Sequence, residues 1–230
     1  MKNTLLLVAS VLSLQLGLAA DPSSWPISYQ GNVEPAEEGA VTINGEKKAS
    51  FEKPVKPNYR AEVGDAGLEL EFSGSGTFTL EDLGTPVDFS EGFTLECRLR
   101  LEETVNQLNP PANNTSAMII QASESVGTNR GMWILGFYTD IEDAKNYVVL
   151  EGSQSTKPFE IGKDFHTFRV TAKDNEVVLY VDNELVGHVP SRKGANSSGV
   201  RFGNLRGSDH KGSAVMDYLK IDPKSSLAPE

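Results

Sequence analysis

From Leu68 onward the apolar positions recur every second residue, in short runs broken by Gly, Asn, Asp and Ser. Alternation of this kind sends one set of side chains to a buried face and the other to water, the mark of a strand in a half-solvated sheet. The clearest run is Phe93-Thr-Leu-Glu-Cys-Arg-Leu-Arg-Leu101. There Phe93, Leu95, Cys97, Leu99 and Leu101 share one face, and Glu96, Arg98 and Arg100 project from the other. The same pattern predicts strands over 68–72, 77–80, 118–121, 131–138, 146–151, 165–172, 176–181, 184–189, 200–202 and 214–221. Ser73-Gly-Ser-Gly76 predicts a hairpin between the first two. Lys173-Asp-Asn175 predicts another, and Asp182-Asn183 is a two-residue type I′ turn signal. No segment sustains three-and-four apolar spacing, so no helix is expected. Roughly a dozen short strands imply an all-β protein, a sandwich or a barrel, and one wet face on each strand favours a two-sheet antiparallel β-sandwich.

The N-terminal part of the chain reads differently. Lys2, the apolar stretch from Leu5 to Leu18, and Gly17-Leu18-Ala19-Ala20 ahead of Asp21 make residues 1–20 a secretory signal peptide. The apolar stretch is short for a membrane span, and no second one follows. The expectation is an exported protein, periplasmic or extracellular, with no membrane insertion. Residues 21–66 are rich in Pro, Glu and Gly and read as an N-terminal arm with edge strands at 39–44 and 48–51. Residues 67–222 hold the sandwich, and 223–230 a flexible tail. Within the sandwich, 102–117 is long for a connection. Cys97 is the only cysteine, so no intramolecular disulfide forms and the fold relies on its core. Its place on the apolar face marks it as an inert core thiol rather than a nucleophile.

A formal net charge of −11 disfavours nucleic-acid partners and anionic membranes. The charge is uneven, because Arg192, Lys193, Arg201, Arg206 and Lys211 lie close together in sequence against Asp209. They read either as solvated turns or as a site for an anionic group. His166, His188 and His210 are scattered and show no zinc-site spacing. Asp217 has the parity of Val215, Leu219 and Ile221. A carboxylate on that face needs a partner, either a structural hydrogen bond or ion pair or a bound cation. Trp133 has the parity of Leu135 and Phe137 and belongs to the core. Tyr138, at the end of the same strand and on its opposite face, is the surface aromatic.

Three segments in order resemble laminin-G-like domains of the concanavalin A-like superfamily. Phe165-His-Thr-Phe-Arg-Val-Thr171 with Val177-Val-Leu-Tyr-Val-Asp-Asn-Glu-Leu-Val186 is similar to their "W-H-x-Y-R-V-T … V-x-L-Y-V-D-G-x-x-V" stretch. The 93–101 strand is similar to their "F-T-V-E-x-R-V-x-x" strand. Gly212-Ser-Ala-Val-Met-Asp-Tyr-Leu-Lys-Ile221 is similar to their closing strand. Phe165 stands where the family often has Trp, and Asn183 where it often has Gly. The resemblance implies a jelly-roll sandwich and a superfamily of glycan binders, polysaccharide-degrading enzymes and adhesion domains, some of which bind Ca²⁺ through loop oxygens, so that it makes Asp217 a candidate Ca²⁺ ligand.

Of the catalytic patterns in that superfamily, the Glu-x-Asp-x-x-Glu of laminarinase-like hydrolases is absent. Glu96, Arg98 and Arg100 do not match the Arg/Glu/Arg order of alginate lyases, and no Gln-x-His accompanies them. The expected function is therefore a noncatalytic carbohydrate-binding or adhesion module for a glycan or polysaccharide. The alternatives are a glycoside hydrolase or polysaccharide lyase on the same scaffold, or a protein-binding domain. Candidate ligand contacts are Glu96, Arg98, Arg100 and Tyr138, with the group Arg201, Asn204, Arg206 and Asp209. Glu96, Arg98 and Arg100 also read as a self-neutralising ladder of surface charge.

Overall fold

The computed structural model describes residues 25–54, 58–105, 118–128, 130–140, 144–195, 198–204 and 211–229. The expected signal peptide, most of the 102–117 connection, Arg206, Asp209 and His210 lie outside these residues. The described residues form seventeen strands and no helix, and no helix among them is long and apolar enough to cross a membrane. Strands are numbered β1 to β17 in chain order.

The pairings divide the strands into two sheets. In the first, β17 (Lys211–Asp222) and β7 (Phe93–Val105) run antiparallel along most of their length. Beyond β7 follow β12 (His166–Lys173), β13 (Glu176–Val181) and β14 (Glu184–Pro190). The other edge of β17 is shared. Residues 212–216 pair with β5 (Gly67–Phe72), which carries β4 (Tyr59–Gly64) outside it. Residues 219–221 pair with β1 (Ile27–Tyr29), which carries β2 (Val41–Ile43) and then β3 (Glu46–Ala49).

The second sheet runs β6 (Gly76–Leu80), β16 (Gly199–Asn204), β8 (Met118–Ser123), β9 (Gly131–Thr139), β10 (Asn146–Glu151) and β11 (Phe159–Ile161). The short β15 (Arg192–Lys193) pairs with the start of β9, where β10 no longer reaches. Pairing is antiparallel throughout, apart from a single parallel bridge, Val105↔Thr139, that links the two sheets.

The alternating strands put their apolar sets face to face. Leu95, Cys97, Leu99, Phe168 and Leu179 from the first sheet are buried with Phe78, Ile120, Trp133, Phe137 and Phe202 from the second. Edge-to-face contacts lock the layers, as between Phe137 and Phe168 at 5.0 Å and Phe93 and Trp133 at 6.1 Å. The protein is a two-sheet antiparallel β-sandwich, as its pattern predicts. Asp174-Asn175 and Asp182-Asn183 close the β12–β13 and β13–β14 hairpins, all four residues having positive φ between 51° and 71°.

The hairpin expected across Ser73–Gly76 does not form. β5 pairs with β4 and β17, and β6 pairs with β16, so the short turn carries the chain from one sheet to the other. Turn residues specify a reversal of direction, and whether the next strand stays in the layer depends on which inner face has room for it. Upstream, the region read as an arm supplies β1 to β4 to the first sheet, and Trp25 precedes it. After β17, the Thr94 hydroxyl donates to the Ser225 carbonyl (2.6 Å) and accepts from the Leu227 N–H (2.8 Å), tying residues 225–227 to β7.

Candidate functional site

Glu96 stands in the middle of the first sheet's outer face, flanked in register by a cation from each neighbouring strand. Arg169 on β12 and Lys220 on β17 are its direct cross-strand partners. Arg169 donates from both Nε (2.8 Å) and Nη2 (2.5 Å) to Oε2, and the Tyr218 hydroxyl donates to Oε1 at 3.0 Å. Lys220 Nζ lies 3.7 Å from Oε1 and 4.0 Å from the centroid of the Tyr218 ring. The Trp25 ring approaches both cations, at 6.0 Å from Arg169 and 5.9 Å from Lys220. Under this cover Glu96 and Lys220 are each only 5 % exposed. Burial and the neighbouring carboxylate push the Tyr218 phenol well above its ordinary value, so it stays a donor at neutral pH.

Arg98 and Arg100 lie on the same face, and each is held by a carboxylate. Arg98 Nη1 is 2.5 Å from Asp217 Oδ2, and Arg100 Nε is 2.7 Å from Glu102 Oε1. Both guanidiniums pack on Phe165, at 4.6 and 5.1 Å from its centroid. The parity expected for Asp217 is corrected by a bulge. Met216 pairs with Leu99 and Tyr218 with Arg98, so Asp217 is the extra residue. It turns outward, while Leu219 and Ile221 stay in the core with Met216. The Asp217 carboxylate thus receives its partner from Arg98. No group of three or more His, Cys, Asp and Glu side chains among the described residues is placed to hold a metal ion.

Beyond Arg100, on the β4–β5–β17 side, the face sinks into a depression of about 260 Å³. Ser213 and Val215 lie in its lining, and Arg60, Glu62, Glu69, Glu71, Arg100 and Glu102 surround it. Strand register explains the grouping, since Arg60 faces Glu71, Glu62 faces Glu69, and Val215 lies between Glu69 and Arg100. Arg60 Nη2 is 2.6 Å from Glu62 Oε2, so both arginines of the depression already have an acidic partner.

The other sequence candidates are placed elsewhere. Tyr138 is on the outer face of the second sheet and only 4 % exposed, its ring stacked on Tyr147 at 5.4 Å. The surface aromatic expected there is corrected to a buried one, because Tyr147 lies directly opposite it on β10. Arg201 also lies on the second sheet and donates to Gln121 Oε1 at 2.7 Å, and Asn204 is buried at the end of β16. The structure thus brings together Glu96, Arg98, Arg100 and Asp217, and separates them from Tyr138, Arg201 and Asn204.

His166 is structural. Its Nε2 accepts from the Gly162 N–H (3.1 Å), which leaves the proton on Nδ1 to donate to Asp182 Oδ2 (2.6 Å). Sequence reasoning missed Trp25, Arg169 and Lys220, and also the carboxylates of β4 and β5. For the strand residues the only signal was outward parity beside unknown neighbours, and Trp25, ahead of β1, gave none.

No family model matches the chain, and no curated protein matches it. Solved structures do match its fold. Domain 4 of AbnA, an extracellular arabinanase from Geobacillus stearothermophilus solved with arabinotriose, aligns over 88 % of this chain and 93 % of its own, at 9 % identity and TM-score 0.52. The binding domain of botulinum neurotoxin DC, solved with SialylT, aligns over 90 % of this chain and 49 % of its own, at 14 % identity and TM-score 0.50. The same domain solved with rat synaptotagmin II gives a TM-score of 0.51 at 14 % identity. The chain spans about half the length of these neurotoxin domains. At such identities the likeness is one of fold, a β-sandwich.

Proposed function

We propose that the protein is an exported, noncatalytic glycan-binding module of the laminin-G-like, concanavalin A-like type, with its ligand on the outer face of the first sheet beside Arg100. The observation that carries this reading is the depression of about 260 Å³ ringed by side chains already fixed in Arg60–Glu62 and Arg100–Glu102 pairs. A sugar presents closely spaced hydroxyls that both donate and accept. Guanidinium–carboxylate pairs offer both kinds of partner in one geometry, so little side-chain freedom is lost on binding.

The fold is compatible with this role, since other sandwiches of the same architecture have been solved with arabinotriose and with SialylT. The state of Glu96 favours binding over catalysis. Both of its oxygens are engaged by Arg169 and Tyr218, and Lys220 stands alongside. A general acid or nucleophile needs a carboxyl free to meet the substrate.

The test is a glycan array probed with the chain from Asp21 onward, in Ca²⁺ and again in EDTA. Specific binding that survives EDTA and weakens at least tenfold in Arg100→Ala supports the proposal. Release of products from a polysaccharide, abolished by Glu96→Gln, would replace it with an enzyme. A blank array together with a stable protein complex in pull-downs would replace it with a protein-binding domain.

A further inference from the structure

Resting on the glycan-binding reading, we infer that the depression admits uncharged or amine-bearing sugars and rejects acidic ones. Its rim holds four carboxylates, Glu62, Glu69, Glu71 and Glu102, against two guanidiniums, Arg60 and Arg100. The two guanidiniums are each committed to a carboxylate on their own strand, at 2.6 and 2.7 Å. Glu69 and Glu71, on the outer face of β5, take part in no ion pair among the described residues and are exposed. The rim therefore carries an excess of negative charge where a ligand would approach. The protein's net charge of −11 adds to it rather than offsetting it.

A uronate, sialate or sulfate entering here would find the charge of both guanidiniums already offset by Glu62 and Glu102, and two further carboxylates that share only Arg60's attraction within a Debye length, about 8 Å at physiological salt. A neutral sugar meets acceptors for its hydroxyls at no such cost. A protonated amine would be drawn to the same two groups. Of the other basic residues on this face, three are already engaged, and Lys211, at the far end of β17, is exposed. Arg98 is on Asp217, and Arg169 and Lys220 are on Glu96 beneath Trp25. This assignment differs from the anion site suggested by the basic residues between 192 and 211. Of these, Lys193 is bound to Asn175 at 2.7 Å and Arg201 to Gln121, both away from the depression.

The experiment compares three soluble oligosaccharide classes of matched length by calorimetry at 20 mM and 300 mM salt: neutral glucans, fully deacetylated glucosamine oligomers, and uronic acid oligomers. Each is titrated into the wild-type chain and into Glu69→Gln/Glu71→Gln, whose folding is checked by circular dichroism. The expected order at low salt is amine above neutral above acidic, with at least tenfold between the ends. High salt or the double substitution should compress the spread several-fold. Acidic oligomers that bind as well as neutral ones, or a spread untouched by the double substitution, would overturn the charge assignment while leaving glycan binding intact. Failure of all three classes to bind the wild type would overturn the glycan-binding reading and this inference with it.

Discussion

Two side chains set the energetic terms on either side of the first sheet. On the outer face, Glu96 is a buried charge whose cost is met by Arg169, Tyr218 and Lys220. Removing the bidentate Arg169 leaves this buried carboxylate with only Tyr218 and the more distant Lys220, which costs more than the pair contributes. Arg169→Met should therefore lower unfolding stability by about 3–5 kcal/mol, and adding Glu96→Leu should restore part of that loss. Urea denaturation of the single and double variants checks both. In the core, Trp133 is fully buried, and its indole N–H has no hydrogen-bond acceptor among the described residues. An unsatisfied buried donor costs about 1–3 kcal/mol, while shortening the ring opens a void. Trp133→Phe should thus fall within about 1 kcal/mol of wild type, a mild result where a Trp core substitution is ordinarily severe. Both effects were out of reach of sequence pattern, which shows parity but not partners.

At the level of elements, β17 does the most to organise the sheet, and it does so through a fault in its own regularity. The bulge at Asp217 falls where the strand exchanges β5 for β1 as a neighbour. Two glycines with positive φ press against its backbone. A Cβ at Gly67 would lie 2.5 Å from the Met216 carbonyl oxygen, and one at Gly31 would lie 2.5 Å from the Met216 and Asp217 carbonyl oxygens. Gly67→Ala should therefore cost about 2–4 kcal/mol and loosen the Arg98–Asp217 pair, read as faster amide exchange along 214–219. Without the bulge, strict alternation would have sent Asp217 to the core face with Leu219 and Ile221. The same strand parity that located Glu96, Arg98 and Arg100 from sequence therefore failed at Asp217, because an inserted residue leaves no trace in the hydrophobic pattern.

For the molecule as a whole, two buried acids, Cys97 and Tyr29, and the half-buried Tyr218 predict how the sandwich fails in alkali. Burial, the main cause in each case, pushes the Cys97 thiol and the Tyr29 and Tyr218 phenols well above their ordinary values of 9.0, 10.0 and 10.0. Each stays protonated in the folded state where the unfolded chain would ionise. The stabilisation is whole below the ordinary value and is lost as pH climbs through the interval toward the folded one, at about 1.4 kcal/mol per pH unit for each of Cys97 and Tyr29, and less for the half-buried Tyr218, where solvent screens the charge. Thermal melting should be flat from pH 7 to about 8.5 and fall with increasing steepness above about pH 9. Cys97→Ala should remove the earliest part of that fall, although its Tm at pH 7 will be lower because of the cavity.

The chain's own pattern determined the all-β class and favoured a two-sheet sandwich, gave the strands from 93 to 221 apart from the short β11 and β15, and placed Cys97 and Trp133 inside. Those features follow from period-two alternation and turn chemistry, which act over a few residues and are written locally. Tertiary structure decided which strands are neighbours. It separated β5 from β6, set Arg169 and Lys220 beside Glu96, covered them with Trp25, buried Tyr138 against Tyr147, and gathered the carboxylates of β4 and β5 around Arg100. Cross-strand register is set by the fit of two inner faces to each other over the whole molecule. A depression assembled from four strands, with residues 60–71, 100–102 and 213–215 far apart in sequence, therefore exists only once that fit is made.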